Sequence, residues 1–271
     1  THNAVNSLFG TSSVTVALAS ASGSTDALTV QVNDTDGTTD TTTLVSAGIE
    51  TLTLKVANAT ENHKLDVSSV AATTGSNLTV NITDGKASST LELTNMGTTA
   101  NVLNASTFVG DLTITDRAST AMTITTGTGA DTVKSESTSD VIDLGTGADT
   151  LNVAFQSIGN SITVDMSVAA GADMISLGGS AGTVQTNFEN VSLASFVGTG
   201  SNITGSTGAN TITGSAYADA INGGLGADTI IGGNGIDYIT LTETTASADT
   251  VQLATSVDAN NYDQITGFDF G

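Results

Sequence analysis

Isoleucine returns at every ninth residue between Phe196 and Thr240, at Ile203, Ile212, Ile221, Ile230 and Ile239. Cut on that period, the stretch reads FVGTGSNIT, GSTGANTIT, GSAYADAIN, GGLGADTII and GGNGIDYIT. The sixth place holds Asn210, Asp219, Asp228 and Asp237, and glycine gathers at the first, second and fourth. The last two copies satisfy G-G-x-G-x-D-x-U-x, with U a large apolar residue, at every fixed place. Nine residues are half of an eighteen-residue coil, six to turn a corner and three to form a short strand. Glycine serves the corner, where the backbone enters conformations closed to residues with a Cβ. The eighth residue is predicted to point inward, so that successive isoleucines stack as a ladder. The sixth is expected to face out of the bend beside its counterpart one coil on, which sets Asp219 next to Asp237 and Asn210 next to Asp228.

Elsewhere the pattern is shorter-ranged. Val14–Leu18, Leu28–Val32, Leu52–Val56, Leu78–Ile82 and Leu112–Ile114 alternate apolar and polar residues, with many β-branched side chains and no helical period. They predict strands in a sheet stack or an irregular β-helix. The run from Asn33 to Gly37 reads as a hairpin turn, and Asp34, Asp36 and Asp40 around it lack the spacing of a helix-loop-helix calcium loop. A second nonapeptide block begins at 126: TGTGADTVK, SESTSDVID, LGTGADTLN. It places Asp131, Asp140 and Asp149 sixth and Val133, Ile142 and Leu151 eighth. Asp131 and Asp149 are one coil apart, which predicts a good site there, whereas the middle copy lacks glycine and is expected to bind poorly. GADMIS offers a lone echo at Asp173 and Ile175, and weak copies follow the main block around Asp249 and Asp263. A second repeat, apolar-Glu-x-apolar-x-Leu, occurs at Ile49–Leu54 and Phe188–Leu193 and reads as the edge of a new β unit. The predicted organisation is a strand-repeat region 1–125, a first nonapeptide block 126–152, an intervening β region 153–195, and a main block 196–271.

Charge decides what such corners can hold. The chain has 27 acidic and 5 basic residues, a net charge of −22. That excludes nucleic acid and anionic membrane surfaces as partners, since both require positive charge, and favours divalent cations. Carboxylates stacked at a strand spacing of about 4.8 Å repel by roughly 0.8 kcal/mol in a water-like dielectric and about 3 kcal/mol at an effective dielectric near 20. A column of them needs a cation, and carboxylates with backbone carbonyls form a hard all-oxygen set suited to Ca²⁺ over Zn²⁺ or Mg²⁺. There is no cysteine for disulfides or thiolate sites, and no apolar run long enough to span a membrane. Gly178–Gly182 matches G-x-S-x-G, but both histidines, His2 and His63, lie far upstream and no helix-forming segment follows Ser180, so no hydrolase is expected. The chain opens on Thr1 rather than methionine and is expected to be a piece of a longer one.

The perfect copies GGLGADTII and GGNGIDYIT, with the terminal DQITGFDFG, resemble the RTX proteins exported by type I secretion. AGIETLTLKV, the stretch from Leu103 to Val133, and NFENVSLASFVGTGSN are similar to the β-rich regions of RTX-type surface-layer proteins of Gram-negative bacteria. The resemblance covers about residues 45–271. It implies an all-β fold, a parallel β-roll or β-helix solenoid with calcium-binding nonapeptide turns, joined to irregular β structure in the N-terminal half. It further implies a non-enzymatic structural protein, secreted to the cell surface, that folds on several Ca²⁺ ions and assembles with copies of itself into a two-dimensional lattice. Cell-surface polysaccharide is a candidate partner through a region outside this chain, and no membrane insertion is expected. The alternatives are a piece of a large RTX adhesin and the calcium-binding tail of a secreted RTX enzyme. In such rolls the sixth-place Asp and the carbonyls of the first four residues ligate calcium. Carried over, this nominates Asp219, Asp228 and Asp237 with Gly223, Gly224, Gly226, Gly232, Gly233 and Gly235, and Asp131 and Asp149 with Gly127, Gly129, Gly145 and Gly147. Asp140, Asn210, Asp249 and Asp263 complete the set from imperfect copies. The pattern is broken at Asn210, Ala216, Tyr217 and 135–139.

Overall fold

A long row of β-branched and aliphatic residues at every second position can satisfy its backbone only by pairing with neighbours, and here it pairs in parallel. A computed structural model describes residues 7–8, 12–15, 25–32, 41–56, 62–72, 76–94, 96, 100–115, 121–169, 171–172, 174–178, 180–181, 184–241, 244, 247–252 and 262–268. The described residues are strands and turns with no helix. Two compact units emerge, Thr1–Val133 with Ser139–Gly147, and Lys134–Thr138 with Ala148–Gly271.

In the first unit each strand pairs with the next but one, as a chain wound in coils requires. Ala27–Val32, Thr51–Val56, Leu78–Asp84, Ala100–Asn104, Thr123–Thr125 and Val141–Asp143 follow one another in one sheet. Ser12–Thr15, Thr41–Ala47, Asn62–Ala71, Thr90–Thr94 and Asp111–Thr115 follow one another in a second. Alternation sends Leu28, Val30, Leu52, Leu54, Val56, Leu78, Val80 and Ile82 inward, all buried. Each such side chain contributes roughly 1.5–3 kcal/mol by leaving water. From Thr51 onward the coil shortens: Thr51 pairs with Thr79, 28 residues on, Val102 with Thr123, 21 on, and Thr123 with Val141, 18 on.

The predicted hairpin at 33–37 does not form between its flanking strands. Ala27–Val32 pairs with Thr51–Val56, and Thr41–Ala47 pairs with Asn62–Ala71, in different sheets. Two runs joined by a short connection look alike in sequence whether they form a hairpin or a coil corner. Residues 33–40, with Asp34, Asp36 and Asp40, lie outside the described residues, as do Val16–Leu18 and Asp173.

In the second unit the nonapeptides form the three-residue strands expected of them. Asn202–Thr204, Ala220–Asn222, Tyr238–Thr240 and Gln264–Thr266 pair in parallel on one side. Asn190–Ser192, Thr211–Thr213, Thr229–Ile231 and Thr250–Gln252 do so on another. The ladders run Ile203 to Ile221 to Ile239 and Ile212 to Ile230 in direct register, all five buried. The intervening region departs from the coil. Ile162–Asp165 pairs in parallel with Asn202–Thr204 but antiparallel with Ile175–Leu177, which pairs antiparallel with Ser180–Ala181. Ser180 therefore sits in a small antiparallel ribbon, not at a strand-to-helix turn. Met96, Met122, Met166 and Met174 are buried.

Candidate metal centre

Each corner of the roll must do something with the N–H and C=O groups that its bend frees. The sixth-place residues supply the answer, and it differs from the outward orientation expected of them. Asp131, Asp140, Asp149, Asp219, Asp228 and Asp237 are all buried, Asp237 with none of its surface exposed, and Asn210 is buried too. A carboxylate is drawn inward because the preceding coil aims a backbone donor at it.

The ladder is regular. Asp219 Oδ1 accepts the Ser201 N–H at 2.6 Å, Asp228 Oδ1 the Asn210 N–H at 2.8 Å, and Asp237 Oδ1 the Asp219 N–H at 2.9 Å. Asp249 Oδ1 accepts the Asp228 N–H at 2.9 Å and Asp263 Oδ1 the Asp237 N–H at 3.0 Å, so the weak terminal copies join the same columns. The pairs Asn210 with Asp228 and Asp219 with Asp237 stand eighteen residues apart, as the period requires. In the first unit Asp131 Oδ1 accepts the Leu112 N–H at 2.8 Å and Asp140 Oδ1 the Met122 N–H at 3.1 Å. Asp131 belongs to the first unit and Asp149 to the second.

Two rungs of this ladder are not aspartate, and sequence reading missed them. Glu50 Oε2 accepts the Asp26 N–H and Glu189 Oε2 the Asp149 N–H, each at 2.8 Å. Both glutamates stand two residues before a buried apolar residue, Leu52 or Val191, as Asp228 stands before Ile230. Two residues earlier the backbone turns to positive φ, at Gly48 (+73°) and Asn187 (+58°), matching Gly226 (+107°) and Gly235 (+120°) ahead of Asp228 and Asp237. The repeated apolar-Glu-x-apolar-x-Leu motif is thus the nonapeptide corner with one extra methylene in its acid.

Glycine shapes the cradle. Gly224 and Gly233 hold φ of +95° and +105°, values L side chains rarely adopt. A Cβ on Gly232 would overlap Asp237 Oδ2, and one on Gly223 would lie 2.7 Å from Asp228 Oδ2. Carbonyl oxygens of the preceding coil press on the same corners: a Cβ on Gly226 would meet the Gly208 oxygen at 2.9 Å, and one on Gly235 the Tyr217 oxygen at 2.7 Å. In the other block a Cβ on Gly145 would overlap the Gly127 oxygen, and one on Gly129 the Gly110 oxygen.

Such corners suit a hard cation. The oxygens that meet at these corners are those of carbonyls, carboxylates and, at some corners, serine or threonine hydroxyls. Among the described residues no three His, Cys, Asp or Glu cluster, so backbone carbonyls must complete any coordination shell. Asp237 Oδ2 is buried and meets no protein donor. Burial pushes the Asp237 carboxyl up to about 6, and repulsion from Asp219 and Asp263 adds to it against the Asp219 N–H. Burial also raises Asp219 and Asp131, although Ser215 and Ser201 hydrogen bonds lower the first and Thr126, Leu112 and Gly127 the second. The bases are Lys55, Lys64, Lys86, Arg117 and Lys134, so residues 135–271 carry acids and no lysine or arginine. The donor set and its excess charge fit Ca²⁺.

Against known families, the sequence model of the RTX calcium-binding nonapeptide repeat (four copies) matches residues 123–151 and 204–239. These are the two blocks whose corners carry the buried acids. No curated protein and no solved structure matches the chain significantly.

Proposed function

From a chain that carries RTX calcium-binding nonapeptide repeats, we propose a non-enzymatic structural protein of a bacterial surface layer, exported by type I secretion, that folds on extracellular calcium and assembles with its copies into a two-dimensional lattice. RTX repeat proteins are typically secreted, and calcium is their ligand. The observation that carries the calcium-folding part is Asp237, a sealed carboxylate with one oxygen unmet in a column of like charges. In the Ca²⁺-loaded roll, Asp228 and Asp237 with the carbonyls around their corners would hold the ions, and bound calcium supplies the positive charge the column lacks.

Binding linkage gives the switch its size. A site filled at a hundred times its dissociation constant adds about 2.7 kcal/mol, and three such sites add roughly 8 kcal/mol, comparable with the whole stability of a typical domain, about 5–15 kcal/mol. A chain left loose without calcium suits export. The lattice part rests on the surface-layer-like stretches at Ala47–Val56, Leu103–Val133 and Asn187–Asn202 and on the regular parallel coils that display repeating polar faces.

Calcium titrated into EDTA-stripped protein, followed by far-UV circular dichroism and light scattering together, tests both parts. A coil-to-β change followed by growth into sheets is expected. Folding without growth would return the adhesin or enzyme-tail reading, and no response would sink the calcium switch.

A further inference from the structure

The two copies that precede the glycine pairs, 205–210 and 214–219, differ from them at the second place, where Ser206 and Ser215 stand. Gly224 and Gly233 occupy that place in the following coil at positive φ, and neither serine does. Each serine instead turns back on its own sixth residue. The Ser215 N–H donates to Asp219 Oδ2 at 2.6 Å, and the Ser215 hydroxyl lies 3.0 Å from both carboxylate oxygens. With the Ser201 N–H on Oδ1, both oxygens of Asp219 are met by the protein. Ser206 repeats the device: its N–H donates to Asn210 Oδ1 at 2.7 Å, with its hydroxyl 3.1 Å away. The Asn210 amide donates in turn to the Glu189 carbonyl. Asn210 is also neutral, so its corner brings no charge to be balanced.

Corner 232–237 offers a contrast. Gly233 has no hydroxyl, Asp237 Oδ1 accepts one N–H, and Oδ2 meets none. Hydrogen bonds to a buried carboxylate stabilise its ionised form, and they compete for the lone pairs a cation would use. A serine at the second place therefore does for its corner what an ion does for a glycine corner.

We propose that Ser206 and Ser215 decide which corners take calcium: coil 205–219 closes on its own side chains, holds no ion on Asn210 or Asp219, and seeds the calcium-dependent corners 223–228 and 232–237. This rests on the reading that calcium folds the roll. It deepens that reading by dividing the copies into self-closing and ion-closed corners.

The test is amide hydrogen exchange by NMR on the full chain, with calcium or with EDTA, beside a count of bound ions by calcium titration. In EDTA the wild-type amides of Ser201, Ser206 and Ser215 should keep most of their protection, while those of 223–240 lose theirs. Ser206→Gly with Ser215→Gly should lower the protection at Ser201 in EDTA by roughly 10–100-fold, the worth of hydrogen bonds to a charged group, regain it with calcium, and bind more ions than wild type. Ser206→Ala with Ser215→Ala removes the hydroxyls without freeing the backbone, and should lose the protection without gaining ions. Uniform loss across 201–240 in wild-type EDTA samples, or a glycine variant with unchanged protection and ion count, would overturn the proposal while leaving the calcium switch standing. Exchange that ignores calcium at every residue would overturn both.

Discussion

Sealing a carboxyl from water favours its protonated form, and a positive charge or a hydrogen-bond donor opposes that. Burial pushes Asp237 up to about 6 against an ordinary 3.8, with repulsion from Asp219 and Asp263 adding to it and the single backbone N–H it accepts opposing it. Between those values the metal-free fold binds more protons than the unfolded chain, so stability contributed by this group is full below about pH 4, declines as pH rises to about 6, and is flat beyond. In EDTA, far-UV circular dichroism should accordingly report more β structure at pH 5 than at pH 7.5, with Asp237→Asn reducing the difference. With calcium the order reverses, because an ion needs the ionised carboxylate, and affinity measured by titration should weaken below pH 6. The corner glycines are separable in the same way. Gly233→Ala forces an L side chain to φ +105° and should cost roughly 1–3 kcal/mol in a urea melt at saturating calcium. Gly208→Ala is the control: its Cβ would meet only the Ser206 hydroxyl, at 3.8 Å, and the change should stay within about 0.5 kcal/mol.

At the scale of strands and corners, legibility followed period. The isoleucine ladders could be read from the chain because their residues are apolar and evenly spaced, and the strands of the N-terminal half because Leu28, Leu52 and Leu78 begin clean alternations. The inward turn of the aspartates could not, since a charged residue in a corner reads as solvated and only the facing N–H of another coil says otherwise. Glu50 and Glu189 were hidden by irregular coil length: Thr150 pairs with Asn190, 40 residues on, across an antiparallel insertion that no nonapeptide count would anticipate. Their role in the ladder makes a prediction about one methylene. Glu189→Ala should strand the Asp149 N–H and cost roughly 1–3 kcal/mol in the calcium-saturated melt, while Glu189→Gln, which keeps a carbonyl acceptor of the same reach, should recover most of it. Equal losses in the two variants would mean that charge rather than the hydrogen bond carries the effect.

Taken over the whole chain, charge is divided as unevenly as strand length. The first 134 residues hold all five bases, and there Lys64 pairs with Glu92 at 2.7 Å and Lys55 with Asp84 at 3.9 Å. Their strands run to six, seven and ten residues, and the first two bury an apolar side chain at every second place. The nonapeptide strands of 202–240 are three residues long, bury one isoleucine each, and enclose acids without bases. An exposed pair such as Lys55 with Asp84 adds little, so the contrast lies in buried apolar surface against buried charge. Removing calcium should therefore unfold the chain in order. Hydrogen exchange read by mass spectrometry after pepsin digestion should show 41–56 and 78–94 still protected in EDTA when 223–240 has exchanged fully. Monovalent salt should not substitute, because screening at a Debye length of about 8 Å acts weakly on carboxylates closed off from solvent. If the long-strand region instead exchanges together with the short-strand coils, the chain folds as one calcium-dependent unit, and the apolar ladders of the N-terminal half are too weak to stand without the ions.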